Sequence, residues 1–382
     1  MLRNNHEKVK KLILLYFYVY EMQCIPLVSC KAIDTAKLMI VPVFLAFSAF
    51  CNIWHFLYEV KSADNILDIS INTNLLIGGI QTIFTVAVVN VGLKWNHNKV
   101  QKYFDNIVES SEVFLTEARE EFLSKSLQIA NSIVRAFLTV YGATCLLFPA
   151  IALYQTNYVS PIYYQFPGLP HSSPFFYPVN IIGQILIFTI IIQLYISMDC
   201  LFFIYLFYFR GEIHSITAVA KLLSQKEHLD SNCDRILRSI YRAHREVFKN
   251  FGILSKVMWH FYSHKMLAMI FIICCSLFIY SQTNSIASGI ILQMLAISLL
   301  VILCVPGQLI DSYSDNLRET LYESLWYEMK PLDQRNFLLI FIGSQKNINA
   351  ETFGVGVISF ATFVQVIKLA ISYAAFVYAV LL

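Results

Sequence analysis

Residues 353–382 read FGVGVISFATFVQVIKLAISYAAFVYAVLL, and residues 337–346, shortly before them, read FLLIFIGSQK. The later stretch carries one charged residue, Lys368, and a helix needs about 20 apolar residues to cross a bilayer. We therefore predict that residues 353–382 form a membrane span at the end of the chain. The apolar run Phe337–Ile342 is too short to span, and we predict a hairpin or bent helix that leads the chain back to the membrane.

Similar apolar stretches recur upstream. Of the 382 residues, 57% are hydrophobic and 14% are charged, whereas a soluble domain carries about 25% charged residues. The mean hydropathy is +0.59. The runs without Asp, Glu, Lys or Arg are Leu38–Tyr58, Ile69–Leu93, Ala136–Met198 and Met266–Ile310. The last two are long enough for more than one crossing, or for a crossing and a loop.

The sequence thus predicts an all-α membrane protein with seven spans. We place them at 38–58, 69–93, 127–150, 179–209, a fifth span ending near Tyr280, 286–310 and 353–382. A Pro-rich loop, 154–178, precedes the fourth span, and the polar stretch Ser281–Ser285 predicts a tight turn after the fifth.

The basic residues fall on one side of these spans. Of the 28 Lys and Arg residues, 25 lie in the amino-terminal segment and in the two-to-three, four-to-five and six-to-seven connections, leaving only Lys61, Arg135 and Lys368. Basic connections stay cytosolic, so the amino terminus is predicted inside and the carboxy terminus outside. Residues 8–20 are typical of a signal peptide, but Glu21 interrupts them and no small-residue cleavage site follows, so we predict a short interfacial helix.

This topology divides the chain into three regions. Residues 1–210 hold the amino-terminal helix and spans one to four, residues 211–352 hold spans five and six with a cytosolic helical anchor region, and residues 353–382 form span seven. Within the anchor region, apolar residues recur at helical spacing over 211–256, so a helix should continue into span five. Its apolar stripe fits either contact with another subunit or packing on its own chain. A similar stripe in 314–346 is interrupted at Pro331.

Few residues suggest chemistry. His260 and His264 have a metal-ligand spacing on a helix, but aromatic neighbours typical of a membrane interface surround them, and we predict no metal. Asp311, Asp315 and Glu319 share a helix face below span six, which fits either a cation exit or a solvated surface. No phosphate loop, nucleophile elbow or dinucleotide fingerprint occurs, so we predict neither an enzyme nor a cofactor nor a nucleic-acid partner.

Two ionisable residues lie at similar depth inside predicted spans. Arg135 is in span three and Asp199 in span four. An ionisable group in a membrane usually needs a partner, so the two are predicted to form a structural ion pair. The alternative is that each faces water separately.

Span seven has one face with polar groups at its inner end and bulky apolar groups at its outer end. The residues on this face are Gln365, Leu369, Ser372, Phe376 and Val380. Such a face suits a pore wall with a hydrophobic gate. The alternative is ordinary helix packing with one lysine, Lys368, reaching for the interface.

The carboxy-terminal residues also match a known pattern. The matching residues are Gly307, Ser312, Trp326, Arg335, Phe337, Ser344, Gln345, Lys346, Phe353, Lys368, Ser372 and Tyr373. This set, together with seven spans and a cytosolic amino terminus, resembles the insect odorant receptors. Asn347 stands where that family usually has Pro, and Gly343 where it usually has Arg.

The resemblance implies a function. Family members form heterotetrameric, odorant-gated, non-selective cation channels in the plasma membrane of olfactory sensory neurons, and the last span lines the pore. Tuning subunits assemble with an odorant co-receptor, which has a longer connection between spans four and five than this chain. The resemblance therefore implies a tuning subunit that binds a small volatile in the outer half of spans two to six. The candidate ligand-binding residues are Asn74, Ile77, Gly78, Gln81, Tyr141, Thr144, Cys145, Phe148, Asn180, Gln184, Ile187, Ile191 and Tyr280.

Three other functions share part of this pattern. A gustatory receptor channel of the same superfamily has the same architecture and differs mainly in its carboxy-terminal signature. A metabotropic seven-helix receptor would have its amino terminus outside, which the charge distribution opposes. A secondary transporter would usually show internal repeats, and none is evident in the sequence.

Overall fold

Long helices make up most of the described part of the chain. A computed structural model describes residues 4, 7–8, 11, 43, 46–51, 53–54, 57–58, 113–155, 166–170, 172–282, 286–346, 351–352 and 356–381. The helices are α1 (Val113–Ala118), α2 (Ser124–Gln155), α3 (Phe176–Lys221), α4 (Lys226–Gln282), α5 (Ile286–Tyr322), α6 (Pro331–Ser344) and α7 (Phe360–Leu381).

Short elements join several of these helices. A π-helical turn, Arg119–Leu123, leads from α1 into α2, and the 3-10 turns Leu222–Ser224 and Trp326–Glu328 follow α3 and α5. A two-stranded antiparallel pair, β1 (Glu351–Thr352) and β2 (Gly356–Val357), precedes α7.

The helical character predicted from the sequence is confirmed for these residues. Predicted spans three, four and six lie within α2, α3 and α5; α2 and α3 run beyond both predicted ends, and α5 begins at the predicted start and runs beyond the predicted end. Span two lies outside the described residues, as does the turn residue Ser285. The start of span seven was predicted wrongly, because α7 begins at Phe360 and strand β2 occupies part of the stretch after Phe353.

Within the described residues, no helix is both long enough and apolar enough to cross a membrane.

The largest core surrounds the second half of α3. Ile204, Ile213 and Ile216 are fully buried there. The apolar stripe of the predicted anchor helix lies on α4, where Ile236 and Val247 are fully buried in the same core. Of the two readings of that stripe, the structure therefore shows packing against its own chain.

A glycine lets α3 approach the π-helical turn. A Cβ on Gly211 would lie 2.8 Å from Leu123 Cδ1, 3.0 Å from the Leu123 backbone Cα and 3.0 Å from Ser126 Cβ. Leu123 and Ser126 are both buried, at 0% and 4% exposed. The absence of a side chain at Gly211 thus sets how closely α3 packs on the start of α2.

Stacked aromatic rings pack the segment between α5 and α7 against itself. The predicted break at Pro331 is confirmed, because proline starts α6, where its missing N–H is not needed. The ring of Phe337 on α6 stacks on Trp326 with centroids 6.4 Å apart and on Phe341 with centroids 6.1 Å apart. Leu332, Leu339 and other apolar residues of α6 point away from this stack and are exposed.

Candidate functional site

The predicted pore face of α7 lies on the surface of the chain. Gln365 and Ser372 are exposed, Leu369 is 42% exposed, and Phe376 is 66% exposed. Val380 lies on the same helix, but the structure describes only its backbone. Lys368 is also exposed, beside this face rather than in the core.

One narrow stripe attaches α7 to the rest of the chain. Thr362, Val366 and Ala370 recur every four residues and are 3%, 1% and 0% exposed. Val366 and Ala370 belong to the main core, and α7 packs against α4 and α5. Because residues four apart share one helix face, the opposite side of α7 is not covered by the described residues.

The start of α7 rests directly on α5. A Cβ on Gly307 would overlap the carbonyl oxygen of Ile358, so the two backbones touch. Gln308 Oε1 accepts a hydrogen bond of 3.4 Å from the Phe360 backbone N–H, and Ser359 Oγ accepts one of 3.4 Å from the Thr362 N–H. The N–H groups in the first turn of a helix have no acceptor within the helix, and these two side-chain oxygens accept hydrogen bonds from such groups in α7.

In the predicted ligand region, a loop is bound to the start of α3. The Phe166 backbone N–H donates a 2.8 Å hydrogen bond to Asn180 Oδ1, and Asn180 Nδ2 donates a 2.7 Å bond to the Phe176 carbonyl. The Phe166 ring packs directly on Gly183, because a Cβ on Gly183 would lie only 2.5 Å from Phe166 Cε2. The same ring stacks on Phe47 with centroids 6.0 Å apart. Both polar atoms of the Asn180 amide therefore have protein partners.

The other predicted ligand-binding residues are less fully placed. Gln184 is fully buried on α3, one turn after Asn180. The structure describes only the backbone of Tyr141, Thr144, Cys145, Phe148, Ile187, Ile191 and Tyr280, all of them in helices. Asn74, Ile77, Gly78 and Gln81 lie outside the described residues. Their contact with a ligand stays a prediction.

The predicted ion pair between Arg135 and Asp199 is wrong. Lys265 Nζ on α4 lies 2.5 Å from both carboxylate oxygens of Asp199, and the two side chains are 3% and 5% exposed. Arg135 is exposed on α2 and forms no ion pair with any described residue. Asp199 does need a buried partner, as expected, but the rotation of α3 presents it to α4 instead of α2.

A second buried pair joins the π-helical turn to α3. Arg119 Nη2 lies 2.9 Å and Nε 3.2 Å from Glu212 Oε2, and the side chains are 4% and 0% exposed. Burial raises the pKa of Glu212, Arg119 opposes that shift, and the nearby Glu246 carboxylate adds to it. The pair thus ties the π-helical turn to α3 by charge, next to the close contact at Gly211.

A cation and a histidine share an aromatic site between α3 and α5. Arg210 Nη2 donates a 2.8 Å hydrogen bond to Tyr313 Oη, and its guanidinium carbon lies 4.9 Å from the Tyr313 ring centroid and 5.5 Å from that of Phe207. His214 lies one turn further along α3, with its ring 4.3 Å from the Phe122 ring and 5.4 Å from the Tyr313 ring. Burial lowers the pKa of His214, and the positive charge of Arg210 lowers it further.

Sequence reasoning missed the partners in these contacts. Lys265 and Arg119 were counted only as cytosolic charges, yet each is buried in a pair whose other member lies 66 or 93 residues away. Gly307 was noted only as part of a family pattern. A lysine at the very edge of a charge-free run, such as Lys265 before Met266–Ile310, was the one available signal of burial.

The sequence and the fold are similar to those of known proteins. The model of the family described as 7tm Odorant receptor matches residues 72–371. The fold is similar to a solved structure of the insect olfactory receptor OR5 from Machilis hrabei, with a TM-score of 0.79, 11% identity, and coverage of 98% of this chain and 99% of that chain. It is also similar to the structure of that receptor in complex with eugenol, with a TM-score of 0.78, 13% identity, and coverage of 98% and 100%.

These comparisons carry different weight. No curated protein sequence matches the chain, and the identities to the two solved structures show a shared fold alone. The family model, by contrast, covers most of the sequence and includes α2 to α6 and the first half of α7. This chain therefore belongs to the 7tm odorant receptor family, whose members are multi-pass membrane receptors.

Proposed function

We propose that this chain is the odorant-sensing subunit of a heteromeric, ligand-gated, non-selective cation channel. The observation that carries the proposal is the surface of α7, where Gln365, Leu369, Ser372 and Phe376 form an exposed line on a helix held by one buried stripe. Because the line carries the polar groups of Gln365 and Ser372, it suits contact with neighbouring subunits and water better than contact with lipid. Copies of α7 arranged about a common axis would enclose a path with that line as its wall.

The chemistry of the line fits conduction and gating. Gln365 and Ser372 supply hydrogen-bonding groups for a hydrated cation, whereas Phe376 and Val380 present apolar groups further along the helix. A ring of apolar side chains closes a pore by dewetting without a physical plug. Phe376 and Val380 are therefore the proposed contribution of this subunit to the gate.

Other subunits are proposed to cover a second exposed surface. The apolar side chains around α6 lie on the surface of this chain: Trp326 (41% exposed), Tyr327 (60%), Leu332 (70%), Leu338 (55%), Leu339 (63%) and Ile342 (57%). Large apolar side chains exposed in this number favour a protein contact site. We assign the partner as odorant co-receptor subunits in a heterotetramer, located in the plasma membrane of olfactory sensory neurons with the amino terminus in the cytosol.

The proposed ligand is a small volatile in the outer half of the helix bundle. Pockets for such molecules are mostly apolar and aromatic with few hydrogen-bonding groups, as are the candidate residues on the first half of α3 and the second half of α2. The structural relative that was solved with eugenol supports a small-molecule site in this fold. Gln184 is the proposed polar contact, because it is a fully buried amide on α3 one turn after Asn180.

Current recordings test the channel directly. Cells expressing the chain with an odorant co-receptor should pass a cation current in response to at least one member of a volatile panel. Phe376→Ser should raise the basal current or change ion selectivity without changing odorant preference. Ile371→Ser is the matched control, because Ile371 is 53% exposed but lies about 140° around the helix from Phe376. If the two variants behave alike, the proposed line does not face the pore.

A second variant tests the ligand region. Tyr141→Ala should shift the order of preference among volatiles, because a bulky side chain would be removed from the proposed pocket, while basal current and selectivity stay those of the wild type. A change in conduction with an unaltered preference order would remove Tyr141 from the ligand site.

A further inference from the structure

We infer that Gly307 and Gln308 on α5 are positioning residues that fix the first turn of α7 and thereby set how strongly odorant binding controls the pore. The gating part of this inference rests on the proposed function. The positioning part rests on the contact between α5 and the segment that enters α7.

At Gly307 the contact is between two backbones. A Cβ there would overlap the carbonyl oxygen of Ile358 and would lie 3.1 Å from both the carbonyl carbon and the Cγ2 of that residue. Gly307 is buried, and Ile358 is 1% exposed and part of the main core. Because the obstructing atom belongs to a backbone, rotation of a side chain cannot relieve the overlap, and α7 itself would have to move.

Gln308 adds a polar link to the same place. Its Oε1 accepts the Phe360 N–H at 3.4 Å, while Ser359 Oγ accepts the Thr362 N–H at 3.4 Å, and Thr362 Oγ1 donates to the Val357 carbonyl. The first turn of a helix lacks internal acceptors for its N–H groups. One of these groups thus depends on a side chain from α5, so the start of α7 is joined to a different helix.

This joint determines the orientation of α7. Helix α5 is anchored in the core by Ile310, Leu317 and Leu321, which are 1%, 2% and 0% exposed. A helix advances about 100° per residue, so a slip of one residue at the first turn would turn the line that contains Gln365 and Phe376 away from the proposed pore. If the contact of Gly307 and Gln308 with the first turn of α7 is intact, α7 moves with α5. If that contact is weakened, α7 moves independently of odorant binding.

Amide hydrogen exchange tests the positioning part without requiring channel activity. The full chain would be purified in lipid nanodiscs as wild type, Gly307→Ala, Gln308→Leu and Gln308→Glu, with Gly343→Ala as the control because a Cβ on Gly343 meets nothing within 4 Å. A hydrogen bond contributes little net free energy, so we expect about two- to tenfold faster exchange at Phe360–Thr362 in Gly307→Ala and Gln308→Leu. Gln308→Glu keeps the acceptor and should exchange as the wild type. Wild-type exchange in both Gly307→Ala and Gln308→Leu would overturn the inference.

Recordings with the co-receptor test the gating part. The ratio of odorant-evoked to basal current, normalised to surface expression, should fall about two- to tenfold in Gly307→Ala and Gln308→Leu, and should be retained in Gln308→Glu and Gly343→Ala. An unchanged ratio despite faster exchange would overturn the gating role. If Gly307→Ala fails to reach the surface, the gating role is tested by the difference in current ratio between Gln308→Leu and Gln308→Glu. If the wild type itself gives no odorant-evoked current, the proposed channel function fails, and the exchange measurement still decides the positioning role.

Discussion

At the scale of single residues, the buried charge pair between α3 and α4 has the largest expected energetic effect. Removing one partner leaves the other charge buried and unpaired, so Asp199→Asn or Lys265→Met should each lower the free energy of unfolding by about 3–5 kcal/mol. The double variant Asp199→Leu with Lys265→Met should lie closer to the wild type than either single change, since apolar groups can replace a buried pair. Denaturant or thermal unfolding of the purified chain measures these differences.

Arg135→Gln is the control for this prediction. Arg135 is exposed and was the partner expected from the sequence, so the variant should stay within about 0.5 kcal/mol of the wild type. A loss at Arg135 equal to that at Lys265 would contradict the observed pairing.

A single histidine is expected to make the fold sensitive to acid. The pKa of His214 is lowered by burial, by Arg210, and by Lys221 and Lys125, against the opposing charge of Glu121. A lowered pKa means that the folded chain keeps His214 neutral, whereas the unfolded chain takes up a proton near the ordinary pKa of about 6.5. The free energy of unfolding is therefore highest above that pH and decreases as the pH falls.

The melting temperature should therefore drop between about pH 7.5 and pH 5.5, and His214→Gln should reduce that drop. His244→Gln should remove a separate part, because burial also lowers the pKa of His244 on α4. A melting profile that keeps its full pH dependence in His214→Gln would rule out this residue as the cause.

At the scale of elements, the packing of α3 on the π-helical turn makes a glycine necessary. Alanine in a helix is favoured over glycine by about 1 kcal/mol, so Gly252→Ala should stabilise the chain, because a Cβ there meets nothing within 4 Å. Gly211→Ala should instead cost about 1–3 kcal/mol, since its Cβ would lie 3.0 Å from the Leu123 backbone. Opposite signs of the two changes in melting temperature would confirm the contact, and equal stabilisation would disprove it.

At the scale of the whole molecule, the charges predict the orientation in the membrane. With 25 of 28 basic residues in the predicted cytosolic segments, an epitope tag before Met1 should be inaccessible to antibody on intact cells, and a tag after Leu382 should be accessible. Permeabilised cells provide the control for tag expression. Antibody binding to the Met1 tag on intact cells would reverse the orientation and favour a metabotropic receptor.

Local patterns were enough to predict the helices. The spacing of apolar residues over 211–256 predicted a helix that continues into span five, and α4 contains 226–256, whereas 211–221 belong to α3. Proline at Pro331 predicted the break before α6. That Gln365, Leu369, Ser372 and Phe376 share one side of α7 also follows from helical periodicity alone. Periodicity and backbone restriction act between residues a few positions apart, so the sequence determines them by itself.

Tertiary structure alone decided the partners. Asp199 meets Lys265 rather than Arg135, Arg119 meets Glu212 across 93 positions, and Gly307 meets Ile358. Because each residue along a helix turns the facing side by about 100°, the partner of a buried group depends on the rotation and relative height of whole helices. Those quantities are set by the packing of many side chains at once, and no local pattern in the sequence records them.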